Sequence, residues 1–160
     1  MRGDVVFENE TARIAALDNV LVVRWADAPR TTFELKEFEK AGKRIASEFD
    51  KRAVFANVIV SGTPSFSQEV RDEVARLTSS PMFHLGTAQI ILVDGLAGVA
   101  VRAFLSTAFL LSRAKAPNKV FGDLRRGIDW MHARLGDGPV SWTHDGLAGF
   151  VEKVVSPPGR

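Results

Sequence analysis

The chain has no cysteine, so disulfides, thiol catalysis and thiolate metal sites are excluded, and any chemistry must come from hydroxyls, carboxylates and imidazoles. Hydroxyls gather in Ser61-Gly62-Thr63-Pro64-Ser65-Phe66-Ser67, just ahead of a predicted helix. A phosphate on Ser65 or Ser67 would face free N–H groups and the positive end of the helix dipole, where added negative charge is stabilised. Capping explains the same residues more simply, with Ser65 or Ser67 as N-cap and Pro64 as turn chemistry, and the sequence favours it. Ser61, Asp94 and Asp123 follow expected strands. Ligands of open α/β sheets collect at the carboxyl ends of strands, but turns also want such residues there.

Asp94 is the best placed catalytic carboxylate, yet no serine and histidine can be matched as nucleophile and base. His84, His132 and His144 are scattered without ligand spacing, so no metal site is expected. Asp129 and His132, at i and i+3, read as a solvated surface pair. Asp94-Gly95-Leu96-Ala97-Gly98 precedes a helix but lacks the Walker lysine and the full dinucleotide glycine pattern. A non-enzymatic chain without cofactor is the expectation.

These residues hang on alternating elements. Thr11 to Leu17 and Val20 to Ala26 form a hairpin around Asp18-Asn19, and Val5 to Phe7 adds an edge strand. Thr31 or Thr32 caps a helix to about Phe49, with Leu35, Phe38, Gly42, Ile45, Ala46 and Phe49 on one face and Glu34 among the polar residues of the other. Arg52 to Val60 reads as a buried strand, Phe66 to Leu77 as a helix, Ala88 to Val93 as the most hydrophobic strand. Lys119 to Phe121 forms a brief strand, and Leu124 to Leu135 a helix with Leu124, Ile128, Met131 and Leu135 aligned. Trp130 lies off that stripe and is expected to pack against the tail containing Trp142 or to join an interface. Residues 1–136 form the α/β domain, and 137–160 a tail in which Val140 to Val155 can add a short amphipathic helix.

With 160 residues, 46% of them hydrophobic and 25% charged, the chain suits one compact domain. The formal charge of +2 is spread along the helices. Even Arg125-Arg126-Gly127-Ile128-Asp129-Trp130, where basic and aromatic residues interleave, carries an acid, so nucleic acid is not an expected partner. The N-terminus has no signal-like stretch, the richest apolar run is broken by Arg102, and no transmembrane segment is expected; the cytoplasm is the default location.

The segment Val99 to Ala116 stands apart. On a helical wheel Arg102, Ser106 and Arg113 share one narrow stripe, while Val101, Phe104, Leu105, Ala108, Phe109, Leu110 and Leu111 cover most of the rest. Such a helix calls for burial on two sides. It is a central core helix between sheet and tail, a homodimer or protein-partner interface through Val101, Arg102, Leu105, Ser106, Phe109, Leu110 and Arg113, or the wall of an apolar ligand site.

The hairpin ARIAALDNVLVVRWAD, the strand VFANVIVSG, the strand QIILVDG and the closing KVFGDLRRGIDWMHARL together resemble the SpoIIAA-like group of STAS-type domains, over about Val5 to Leu135. Phe121, Trp130 and Met131 stand where that group often ends in a strand with Phe and a helix with paired aromatic and aliphatic residues. The resemblance implies a mixed α/β sheet with an N-terminal hairpin and helices packed on it, the fold shared with CRAL-TRIO lipid carriers. The group includes regulatory partner-switching proteins, and members of its anti-anti-sigma branch carry a phosphorylatable serine in an Asp-Ser-Ser-Gly type sequence. The corresponding turn here, Ser61 to Ser67, has no acidic residue and places its glycine differently. The expectation is a regulatory or interaction domain, self-associating through the apolar helix; the alternative is a binder of a lipid or other small apolar molecule.

Overall fold

The computed structural model describes residues 3–62, 67–79, 82–111 and 116–157, with backbone alone along 78–79 and 104–111. Among these residues the chain forms β1 (Asp4–Glu8), β2 (Ala12–Leu17), β3 (Val20–Trp25), α1 (Thr32–Glu48), β4 (Val54–Ile59), α2 (Gln68–Ser79), β5 (Gly86–Ile91), α3 (Gly95–Leu111), β6 (Asn118–Phe121), α4 (Leu124–Leu135) and α5 (His144–Val155). The six strands lie side by side in chain order. β1, β2 and β3 are antiparallel, and β3 through β6 run parallel. This is an α/β protein built on one mixed sheet.

Alternation along the strands divides the core in two. Val20 and Val22 of β3 and Val54, Ala56 and Val58 of β4 pack with Ile128, Met131 and Leu135 of α4 and Leu147, Phe150, Val151 and Val154 of α5. Leu21, Val23 and Trp25 join Leu35, Phe38 and Ile45 of α1, Val70 of α2 and Val101 of α3 in the other cluster. Helices therefore cover both faces, which is why β3 and β4 read as near-continuous apolar runs rather than as alternating ones. α5 shares its cluster with α4 and is part of the core.

Local signals account for most of the boundaries. Asp18 adopts φ +47° in the hairpin turn. Its neighbour Asn19 is fully buried and reaches outward, donating to Arg52 O (2.9 Å) and accepting from Trp142 Nε1 (2.9 Å). Asp123 caps α4 by accepting from the Arg126 N–H at 2.9 Å. Gly127 brings α4 close to the sheet: a Cβ there would lie 2.5 Å from Ile90 Cδ1.

Three placements differ from expectation. Glu34 is only 4% exposed, because Thr31 caps α1 in a capping box whose carboxylate partner is Glu34. It accepts from Thr31 N (2.9 Å), Thr31 Oγ1 (2.6 Å) and Asn9 Nδ2 (3.1 Å). Burial alone would raise its pKa, but these hydrogen bonds outweigh burial and lower it. Trp130 packs on Phe121, ring centroids 5.8 Å apart, and over Gly86, so the tail's Trp142 meets Phe150 instead. β5 begins at Gly86, two residues before Ala88, because its register with β4 starts at Val54↔Gly86; it ends at Ile91, which frees the chain to enter α3 at Gly95, well before Val99.

Candidate functional site

The described half of α3 is amphipathic in the reverse sense. Val101 packs among the apolar residues of the α1 and α2 face. Arg102 is half-buried and folds back along the helix, with Nη1 3.5 Å from Ile91 O and 3.4 Å from Val93 O, where the β5 ladder has ended. Gly98 shares this inward side, since any Cβ there would overlap the carbonyl oxygen of Val93. Leu96, Val99, Ala100 and Ala103 are exposed, and they recur at the i, i+3, i+4, i+7 spacing of a single helix face. Leu96 is 88% and Val99 55% exposed.

Two of the expected association residues are thereby reassigned. Val101 is half-buried against the core, and Arg102 points its charge toward the strand-end carbonyls of Ile91 and Val93. A long arginine can lay its apolar stem against the core and reach carbonyls with its head. Leu105, Ser106, Phe109 and Leu110 lie on the described backbone of α3, their side chains outside the description; Arg113 lies outside the described residues. The outward stripe is instead Leu96, Val99, Ala100 and Ala103.

The strand-end residues part company. Ser61 and Asp94 are exposed, and Asp123 is used up as a helix cap. Ser65 lies outside the described residues. Ser67 is exposed and its Oγ accepts from the Val70 N–H at 3.3 Å, the geometry of a cap on α2. His144 Nε2 meets Asp129 Oδ1 at 2.7 Å, while His132 Nε2 meets Trp142 O at 3.0 Å, so Asp129 pairs with the tail rather than with His132. Among the described residues no three metal-ligating side chains converge, and no helix is long and apolar enough to cross a membrane.

Beside Ser61 a crevice of about 490 Å³ opens at the carboxyl ends of β3, β4 and β5. Arg24, Val60, Ser61 and Leu92 line it from the sheet side, Leu124 from the start of α4, and Glu152, Val155, Ser156 and Pro157 from the end of α5. On the opposite sheet face a row of amides crosses the parallel strands. Trp25 Nε1 donates to Asn57 Oδ1 (2.6 Å), and Asn57 Nδ2 donates to Gln89 Oε1 (2.6 Å). Neither Arg24 nor this row was singled out from the sequence. The signal was present as lone polar residues inside VLVVRW, VFANVI and GTAQII, where a buried polar group implies a partner.

No protein-family model, curated protein or solved structure matches this chain.

Proposed function

We propose that this chain is a non-enzymatic regulatory or interaction domain that self-associates through α3, with Leu96, Val99, Ala100 and Ala103 as the meeting surface. The single observation behind the reading is that an apolar stripe of α3 faces water while its charged residue Arg102 faces the strand ends. Exposing large aliphatic side chains on one helix face is favourable only if something covers them, and a two-fold copy of the same stripe is the commonest cover. Alanines at 100 and 103 let two such helices approach closely around the larger Leu96 and Val99.

The proposal extends to a cytoplasmic protein of SpoIIAA-like fold. Its support is the opening hairpin, the alternation of helix and strand in simple spatial order, and the packing of Phe121 on Trp130. Light scattering on the purified chain tests the association: a dimer that Val99→Asp converts to monomer, with unchanged circular dichroism, is the expected result. A monomer at high concentration, with Val99→Asp behaving identically, overturns it.

A further inference from the structure

We propose that the crevice at the carboxyl ends of β3, β4 and β5 binds a small monocarboxylate with an apolar body, its carboxylate held by Arg24. The first ground is an unbalanced charge. Arg13 and Arg24 sit directly opposite one another across β2 and β3, an arrangement that like charges oppose. Arg13 is matched by Glu8, whose carboxylate oxygens it meets at 3.1 and 3.2 Å. Its Nη1 also donates to Val154 O (3.1 Å) and Ser156 O (2.9 Å) at the end of α5. Arg24 has no such match: Nε donates to Val155 O at 2.9 Å, and among the described residues its two Nη groups have no hydrogen-bond partner and no carboxylate lies in ion-pair contact.

Burial, and after it the neighbouring Arg13, lower the pKa of Arg24 by more than Glu8 raises it. A carboxylate meeting the planar guanidinium fork would supply a countercharge through charge-assisted hydrogen bonds. The second ground is the lining. Val60, Leu92, Leu124 and Val155 give the crevice apolar walls, with Ser61 as a polar group at its side. The volume of about 490 Å³ lies in an open crevice, so a ligand there would rest on these apolar residues with one side in water. The crevice lies outside the carboxyl ends of the parallel strands β3, β4 and β5. Glu152, exposed on the same crevice, repels a doubly charged anion more than a singly charged one, which favours a monocarboxylate over a phosphate.

Titration of the full chain with octanoate, octanol and inorganic phosphate, followed by amide chemical shifts, tests the proposal. Octanoate is expected to move the amides of Ser61, Leu92, Leu124 and Ser156, and octanol and phosphate to bind at least about tenfold more weakly. Arg24→Gln is expected to cost about tenfold in octanoate affinity. Because Arg24 also holds the end of α5, a second variant, Ser61→Trp, blocks the crevice from an exposed position and is expected to abolish the shifts without altering thermal unfolding. The proposal is overturned by octanol binding as well as octanoate, by undiminished binding to a folded Ser61→Trp, or by no shifts at about 10 mM octanoate. The α3 stripe lies across the sheet from this crevice, so either proposal can fail alone.

Discussion

α3 and α5 are both rich in apolar residues, yet they end in opposite situations. α5 turns Leu147, Phe150, Val151 and Val154 onto the sheet and keeps Glu152 and Lys153 in water. Two arginines from the sheet hold its last carbonyls, so the negative end of its dipole meets positive charge. α3 turns Gly98 and Val101 toward the core, points Arg102 at strand-end carbonyls, and leaves Leu96 and Val99 in solvent. What separates them is the destination of the charged residues: outward charges in α5 force its apolar face inward, and an inward arginine in α3 leaves an apolar face outside.

Stability measurements can break this contrast. The largest effect belongs to Leu147→Ala, which empties a fully buried site under α5 and is expected to cost about 3 kcal/mol in urea unfolding. Leu96→Ala in α3, measured at concentrations low enough to keep the chain monomeric, is expected to change stability by less than about 0.5 kcal/mol. Equal losses at the two sites would erase the distinction.

Arg13→Met comes next, at about 2 kcal/mol, because it strips a buried cation from Glu8 and from the α5 carbonyls. Hydrogen exchange should locate the loss in the last turn of α5. Asn57→Leu on the other face is expected to cost about 1 kcal/mol, since it leaves Trp25 Nε1 and Gln89 Oε1 without partners. Combining it with Gln89→Leu should recover part of that loss, a coupling that a double-mutant cycle reads directly.

The smallest effect is acid loosening of the α1 and α2 layer. Hydrogen bonds from Arg76 and Lys43 pull the Glu39 carboxyl from 4.5 down to about 2. Through Glu39 the Arg76 guanidinium ties α2 to α1, while it also meets Glu73 within α2. A carboxylate with a lowered folded-state pKa contributes fully above 4.5, and its contribution fades as pH falls toward about 2. Thermal unfolding of wild type and Glu39→Gln should differ slightly near neutrality and converge at the acid end. Arg76 and Lys43 are solvent-exposed, so the difference should also shrink in high salt.

Much of this architecture is legible wherever one local rule acts alone. α4 has its cap at Asp123, its aligned Ile128, Met131 and Leu135, and a glycine after Leu135, and its sequence boundaries coincide with the observed Leu124–Leu135. The Asp18 turn is equally plain. Glu34 and Arg102 defeat the helical wheel because each is polar by type and buried by virtue of a partner elsewhere: Asn9 for Glu34, the end of β5 for Arg102. Trp130 was ambiguous because its partner Phe121 and the close approach at Gly86 belong to different strands. The crevice was the least legible of all. Arg24 and Val155 are 131 positions apart, and no pattern along the chain links them.

That separation also sets an order in time. The β2–β3 hairpin can form as soon as it leaves the ribosome, since its contacts are between neighbours in sequence. The cover for its α5 side is made much later, so Val20, Val22 and the two arginines stay wet throughout the synthesis of β4, β5 and β6. Arg13 and Arg24 are suited to that interval. A sheet face bearing two charges resists sticking to other nascent chains, and the same charges find the end of α5 when it arrives.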